Sequence, residues 1–236
     1  EVLKIASKLK KRVVIGTTGF SKKEENFIKK YSKKIPILRA GNMSLGINLL
    51  MYLTEIASKL KKKVVIGTTG FTKKEENLIK KYSKKIPILK AGNMSLGINL
   101  LMYLTEITSK SLGSNFLSKV FEIHHKHKKD HPSGTALMLG KGIAVGKNKD
   151  LSRIMGKKYF NKKSFPYSKK INFNSIRKGK IIGEHEVKFS SGKEIITLNH
   201  EAFDRALYSE GALTAAKWLI NKKPGLYSMR DLMNFK

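Results

Sequence analysis

One stretch of this chain is present twice. The segment from Ile5 to Ile56 recurs from Ile56 to Ile107, offset by 51 residues. The two copies differ at four positions, where Arg12, Ser21, Phe27 and Arg39 of the first copy correspond to Lys63, Thr72, Leu78 and Lys90 of the second. Solenoid repeats drift apart in sequence and need about three or more units to bury a core. Two near-identical copies therefore indicate either duplication of part of one domain, which we favour, or an error in assembling the sequence.

Each copy has the pattern of two short strands, each followed by a helix. In the second copy, apolar runs at 64–66 and 86–89 predict buried parallel strands. Thr72 and Glu75 predict a capping box at the start of a lysine-rich helix. Apolar residues at helical spacing over 96–107 predict a second, amphipathic helix. The unit is therefore β-α-β-α, which is typical of an open α/β sheet.

The pattern changes after about Phe116. The remainder predicts strands at 120–123, 171–176, 180–189 and 194–200, and helices at 135–144 and 209–221. A lysine-rich loop lies between the helix predicted at 135–144 and the strand predicted at 171–176. Strands followed by a last helix predict a second, mixed α/β domain.

The net charge and the lengths of the apolar runs limit the classes of partner that this chain is expected to bind. The formal net charge is +32, from 49 Lys and Arg against 17 Asp and Glu. Such a charge attracts nucleic acid and anionic membranes without specificity. The lysines are spread over every segment instead of being gathered with Arg and aromatic residues in one motif, so we predict no specific nucleic-acid partner. No apolar run approaches the ~20 residues that span a bilayer, so we predict no membrane partner.

Four of the six histidines lie in the segment 124–135, and three interpretations of this segment compete. A metal site would take its ligands from His124, His125, His127, Asp130 and His131. The spacing is not a standard zinc pattern, and three neighbouring lysines would repel a cation. A solvated polar loop is the second interpretation. The third, which we favour, is an anion-binding catalytic loop, in which Ser133, Gly134 and Thr135 open a helix whose free N–H groups hold a carboxylate.

Five motifs of the chain carry a family resemblance. The run 122–128, EIHHKHK, with Asp130 and the PSGTAL of 132–137, resembles the signature of 4-hydroxy-tetrahydrodipicolinate reductases. The other four are GTTGF at 67–71, AGNMS at 91–95 with Gly97 and Asn99, GEH at 183–185 and GLYSMRD at 225–231. Their order and spacing are similar to those of the family from about Ile56 to the C-terminus.

The resemblance implies an NAD(P)H-dependent oxidoreductase. It would reduce 4-hydroxy-tetrahydrodipicolinate, a cyclic dicarboxylate, to tetrahydrodipicolinate on the route to diaminopimelate and lysine, as a cytoplasmic homotetramer. His124 matches the catalytic histidine of the family and Lys128 its proton donor. Substrate contacts match His125, Ser133, Gly134 and Thr135. Contacts with NADPH or NADH match Gly67, Thr68, Thr69, Ala91, Gly92, Asn93 and Met94. No metal is implied. We interpret His185 and His200 as structural histidines and Arg205 as a candidate hinge residue.

The resemblance also implies the α/β fold class: a partial Rossmann-like parallel sheet, built from the duplicated β-α-β-α unit, and a mixed α/β substrate and tetramerisation domain. The predicted domains are an extra copy of a partial nucleotide-binding segment (1–55), a partial nucleotide-binding domain (56–95), a substrate-binding and catalytic domain (96–204) and C-terminal helices that return to the nucleotide domain (205–236).

The chain departs from the family in its first part. The family opens with a glycine-rich turn that binds the dinucleotide pyrophosphate, and no Gly-x-Gly-x-x-Gly occurs here. With Glu1 as its first residue, the chain is expected to be a fragment that starts partway through the nucleotide domain. The alternative function is therefore a non-catalytic remnant that binds a dicarboxylate but no cofactor. We further expect the native state to be centred on the second copy, with the first copy poorly ordered. The absence of cysteine excludes disulfides and favours the reducing cytoplasm.

Overall fold

A computed structural model describes residues 1–16, 20–40 and 42–235. The chain divides into two compact units, Glu1–Lys62 with Gly70–Lys85, and Lys63–Thr69 with Ile86–Lys236. The predicted α/β fold class is confirmed, because helices alternate with parallel strands in both units and the second unit adds a mixed sheet. In the described part of the chain, no helix is long and apolar enough to cross a membrane.

The first unit holds the first copy and one helix of the second copy. Its elements are α1 (Val2–Lys8), β1 (Val13–Ile15), α2 (Lys22–Ser32), β2 (Ile37–Arg39), α3 (Leu45–Lys59) and α4 (Lys73–Ser83). Strands β1 and β2 pair in parallel. The predicted capping boxes are confirmed, since Ser21 caps α2 with Glu24 and Thr72 caps α4 with Glu75. In both boxes the side-chain oxygens satisfy N–H groups that have no partner inside the helix.

The first part of the second unit contains β3 (Val64–Ile66), β4 (Pro87–Lys90), α5 (Leu96–Leu112), α8 (Ala206–Leu219), β10 (Gly225–Tyr227) and α9 (Met229–Leu232). Its strands form a three-stranded parallel sheet in the order β10-β4-β3. Apolar side chains of β4, α8 and α9 form its core around Leu89 and Leu219. Gly211 allows α8 to approach the backbone of Met94 closely, because a Cβ at this position would lie 1.8 Å from the carbonyl oxygen of Met94.

The other part of the second unit contains β5 (Leu117–His124), α6 (Gly134–Gly146), α7 (Leu151–Ile154), β6 (Met155–Phe160), β7 (Ile171–Arg177), β8 (Gly183–Ser190) and β9 (Ile195–Ala202). Its strands form a five-stranded mixed sheet in the order β6-β7-β5-β8-β9. Strands β5, β6 and β7 run parallel, whereas β8 and β9 form antiparallel pairs. The core of this part centres on Leu139, Phe173 and Phe189. Strand β6 was not predicted, because it is an edge strand with exposed lysines and no alternation of apolar residues.

The two copies form the same elements in different surroundings. Leu89 in β4 is 0% exposed, whereas the corresponding Leu38 in β2 is 61% exposed. Met94 is buried and its counterpart Met43 is exposed. The difference arises because β10 pairs with β4, and α8 packs against β3 and β4. The sequence of a copy therefore determines its strands and helices, while burial depends on the C-terminal segment that covers it.

Candidate functional site

A cavity of about 310 Å³ lies where β5 ends and α6 begins, within the second unit. Eight predicted site residues line it: Thr69, Gly92, His124, His125, Lys128, Ser133, Gly134 and Thr135. Its other lining residues, which were not assigned to a site from the sequence, are Met138, Ile182, Arg205 and Tyr208. A larger groove of about 560 Å³ runs beside β6 and contains none of the predicted residues. The smaller cavity is therefore the candidate site.

The other five predicted residues, Gly67, Thr68, Ala91, Asn93 and Met94, are not part of the cavity lining. Asn93 is nevertheless tied to the site, because its Nδ2 donates to Thr135 Oγ1 at 3.1 Å. Gly67 is required by packing, since a Cβ there would lie 2.8 Å from the Met94 side chain. Gly92 is similar, with Thr69 Cγ2 at 2.8 Å from the position of a Cβ. These glycines let the two loops predicted to hold the cofactor pass close to their neighbours.

Strand β5 places two titratable side chains on the buried side of the sheet. Its burial alternates along the strand, so that Glu122 and His124 both point inward. The Glu122 carboxylate contacts His124 Nδ1. It also accepts hydrogen bonds from the backbone N–H of Ser133 at 3.0 Å and from Arg177 Nη2 at 2.8 Å. Glu122 lies in a predicted motif, but neither it nor Arg177 was assigned a role.

Strand register explains why these groups meet. In the parallel β5–β7 pair, His124 lies opposite Arg177. In the antiparallel β5–β8 pair, Glu122 lies opposite His185. The alternation of β5 could have singled out Glu122 as an inward-facing carboxylate two residues before His124. The sequence carries no comparable signal for Arg177, which lies far along the chain from Glu122.

Glu122 and His185 have strongly shifted pKa values. Burial raises the pKa of Glu122, but hydrogen bonds from His124 and Arg177 outweigh this effect and lower it to about 2. Burial, reinforced by the neighbouring His124, lowers the pKa of His185 to about 3. At neutral pH, Glu122 is therefore an anion and His185 a neutral ring. The His185 Nε2 lies 3.3 Å from Ser133 Oγ, and its ring centre lies 5.0 Å from that of His124.

Within residues 1–16, 20–40 and 42–235, one group of side chains has the proximity of metal ligands: Glu122, His124 and His185, whose ligand atoms lie within 4.8 Å of one another. Both Glu122 oxygens already accept hydrogen bonds or contact His124, and the Arg177 guanidinium lies against them. Nearby positive charge opposes a metal cation, so we interpret the group as a hydrogen-bond network.

Two basic side chains, Lys128 and Arg205, line the cavity together with the start of α6. Ser133 caps α6 by accepting from the backbone N–H of Ala136 at 3.1 Å, so the helix begins at the cavity wall. The first N–H groups of a helix lack partners inside it and favour anions. Lys128 pairs with Asp130 at 2.8 Å and lines the same cavity as Arg205. Desolvation and then the charge of Arg205 lower the pKa of His125. The arrangement suits a small anion such as a carboxylate.

Two family models match this chain, and they describe the N-terminal and C-terminal parts of the same enzyme. The family model described as "Dihydrodipicolinate reductase, C-terminus" matches residues 97–233. The model described as "Dihydrodipicolinate reductase, N-terminus" matches residues 1–43 and 47–94.

Curated relatives point the same way. The chain is 82% identical over 189 residues to the 4-hydroxy-tetrahydrodipicolinate reductase of Pelagibacter ubique (strain HTCC1062), covering 80% of this chain and 73% of the relative. It is 44% identical over 188 residues to the reductase of the same name from Buchnera aphidicola subsp. Schizaphis graminum (strain Sg), covering 78% and 68%. A solved structure, dipicolinate-bound dihydrodipicolinate reductase from Paenisporosarcina sp. TG-14, shares the fold with a TM-score of 0.63 at 18% identity, covering 93% of this chain and 98% of that one. The chain belongs to the dihydrodipicolinate reductase family.

Proposed function

We propose that this protein reduces 4-hydroxy-tetrahydrodipicolinate to tetrahydrodipicolinate with NADH or NADPH, a step of diaminopimelate and lysine biosynthesis. The observation that carries the proposal is one cavity lined by His124, Lys128 and the start of α6. These groups come from separate elements and converge on a space suited to a dicarboxylate. The 82% identical relative is named for this activity.

The substrate carboxylates are held by the positive side of the cavity. One carboxylate accepts from the N–H groups that open α6, at Gly134 and Thr135. A Cβ at Gly134 would meet no atom within 4 Å, so there is open space beside the first residue of α6. Arg205 and His125, which also line the cavity, hold the other carboxylate, Arg205 through its charge and His125 as a hydrogen-bond donor. The solved relative is described as dipicolinate-bound, and dipicolinate is a dicarboxylate of this kind.

The protonation chemistry is assigned to His124 and Lys128. Loss of the 4-hydroxyl group as water leaves a ring double bond that accepts the hydride. Hydride arrival then leaves negative charge on the ring, and an ammonium or imidazolium group quenches it by donating a proton. Glu122 holds Nδ1 of His124, which leaves Nε2 for the substrate. Asp130 holds the Lys128 ammonium on the cavity wall at 2.8 Å. Each of these two side chains can donate its proton without moving, because a carboxylate partner orients it.

The nicotinamide cofactor supplies the hydride, and residues 67–69 and 91–94 of the second copy hold it in this proposal. Their fit is supported by Thr69 and Gly92, which line the same cavity as His124. The closeness of these loops supports it further, since a Cβ at Gly92 would fill the space beside Thr69 and Met138. We also propose that the first copy arose by internal duplication and takes no part in the reaction. Its matching turn, Thr17–Gly19, and Gly41 lie outside the described residues.

Calorimetric titration of NADPH and NADH into this chain, with pyridine-2,6-dicarboxylate present, tests cofactor binding. Saturable binding followed by turnover supports the reductase. Binding of the dicarboxylate without any binding of cofactor would support the non-catalytic remnant instead. Lys128→Ala is expected to lower kcat by about 10²-fold or more, while Lys129→Ala, an exposed neighbour, should stay near wild type. Equal losses in the two variants would contradict the role of Lys128.

We further propose a cytoplasmic homotetramer with the domains bounded at 1–55, 56–95, 96–204 and 205–236. Exposed apolar residues at and beyond the edge strand β9, such as Ile195 and Phe203, offer a surface for subunit contact. Light scattering after gel filtration should give about four times the chain mass of 26.6 kDa. A monomer mass at micromolar concentration would contradict the assembly.

A further inference from the structure

We propose that Glu122 and Arg177 are positioning residues, which together fix the tautomer of His124 and hold the loop that carries Lys128. This inference rests on the proposed reductase function and extends it to two residues with buried side chains outside the cavity lining. Neither residue was assigned a role from the sequence. Each acts through another residue, because neither lines the cavity.

Glu122 receives contacts from three elements. The His124 ring on β5, the backbone N–H at the start of α6 and the Arg177 side chain at the end of β7 all meet its carboxylate. The Glu122 side chain is 1% exposed. An ionised carboxylate that is removed from water persists only when hydrogen bonds and opposite charge compensate it. Here Arg177 supplies the charge, and all three partners supply hydrogen bonds.

Arg177 connects the same centre to the catalytic loop. Its Nε donates to the carbonyl oxygen of Lys128 at 3.2 Å, and its Nη2 donates to the carbonyl oxygen of Asp130. The same Nη2 also donates to Glu122 Oε1 at 2.8 Å. The planar guanidinium has several donors in a fixed arrangement, which a lysine ammonium cannot reproduce. Arg177 therefore holds the backbone on both sides of Lys129 while it neutralises Glu122.

The contact with Glu122 determines which nitrogen of His124 carries the proton. An ionised carboxylate only accepts hydrogen bonds, so Nδ1 of the neutral ring must be the donor. The second nitrogen, Nε2, is then a free acceptor, or a donor once the ring is protonated. Gly183 leaves room at this nitrogen, because a Cβ there would lie 3.1 Å from Nε2. The low pKa of Glu122, about 2, keeps this arrangement intact at neutral pH.

Glu122→Gln tests the tautomer directly. The backbone N–H of Ser133 and the Arg177 guanidinium both require an acceptor, so the amide oxygen takes the place of Oε1. The amide NH₂ then faces His124 Nδ1, which must accept, and the ring proton moves to Nε2. In a Ser-His-Asp catalytic triad, replacing the orienting carboxylate by an amide imposes the wrong tautomer in this way and lowers kcat by about 10⁴-fold.

The measurement is NMR of the ring nitrogens in ¹⁵N-histidine-labelled protein, at a pH where the ring is neutral, with His124 assigned by comparison with His124→Asn. We expect the proton on Nδ1 in the wild type and on Nε2 in Glu122→Gln. In turnover assays, kcat of Glu122→Gln should fall by about 10²-fold or more, with the KM for the cofactor within about twofold. Glu186→Gln is the matched control, because Glu186 pairs with Lys188 at 3.1 Å on the neighbouring strand β8.

Arg177→Lys separates the two roles and covers the case in which Glu122→Gln does not fold. It keeps a positive charge beside Glu122 but loses the contacts with the loop, so kcat should fall while the proton stays on Nδ1. A wild-type proton on Nε2, an unchanged tautomer in a folded Glu122→Gln, or a changed tautomer with unchanged kcat would each overturn the inference. A wild type without reductase activity would overturn the proposed function, whereas the tautomer comparison would still decide whether Glu122 positions His124.

Discussion

Lowering the pH from 7 to 5 is expected to destabilise the second unit mainly through one buried histidine. His185 lies on β8 with 4% of its surface exposed, and burial lowers its pKa to about 3. In the unfolded chain, the same side chain has an ordinary pKa of about 6.5. Because the folded-state pKa is depressed, the unfolded chain binds a proton below pH 6.5 that the folded protein does not bind until about pH 3.

The size of the effect follows from proton linkage. Between pH 7 and 5, the unfolded state gains most of one proton and the folded state almost none, so the free energy of unfolding falls by about 2 kcal/mol. Stability is complete above the unfolded pKa and is lost as the pH falls towards the folded one. Glu122, with a folded-state pKa of about 2, loses its contribution only below its ordinary value of 4.5. The window from pH 7 to 5 therefore excludes Glu122. His125 and His200, whose pKa values burial also lowers, add losses of the same sign, so the comparison with His185→Gln is what measures the part due to His185.

Urea unfolding at pH 7 and pH 5 checks this prediction. The fluorescence of Trp218, the single tryptophan of the chain, reports the unfolding. Trp218 packs against the core of the second unit, so its emission reports on that unit. His185→Gln removes the titrating group and should reduce the loss of stability between the two pH values by about 2 kcal/mol. His127→Gln makes the same substitution at an exposed site and should behave as the wild type. If His185→Gln kept the full pH dependence, the linkage argument would be refuted.

Two further predictions compare the repeated copies. Leu89→Ala should lower the free energy of unfolding by about 2–5 kcal/mol, because it leaves a cavity at a fully buried position. The equivalent Leu38→Ala should change it by less than about 0.5 kcal/mol, and urea unfolding followed by circular dichroism measures both; similar losses would contradict the difference in burial. Amide hydrogen exchange should be faster in β1 and β2 than in β3 and β4, because β10 and α8 cover only the latter pair. Equal, strong protection of the two copies would show that the first is as well ordered as the second.

The local elements of this fold could be predicted from the sequence because their signals are local. The apolar runs and capping residues of each copy define its strands and helices, and Thr72 with Glu75 caps α4 as predicted. Strands β6 and β10 escaped prediction for a shared reason. Each is an edge strand without an apolar run of its own, and each is a strand because it pairs on one side, β6 with β7 and β10 with β4.

The residues of the candidate site also fall into two sets, those that a local motif predicts and those that strand pairing brings together. His124, Lys128 and the Ser133 cap lie within ten residues, so their clustering was visible as a motif before any fold was known. The carboxylate and guanidinium that hold them are brought together by the register of β5 with β7, which sets His124 opposite Arg177. A sequence pattern fixes such a register only in part, because a shift of two residues along a strand keeps the same set of side chains on the buried face. The groups proposed to touch the substrate can therefore be found by composition and spacing, whereas the groups proposed to orient them emerge only when the strands are paired.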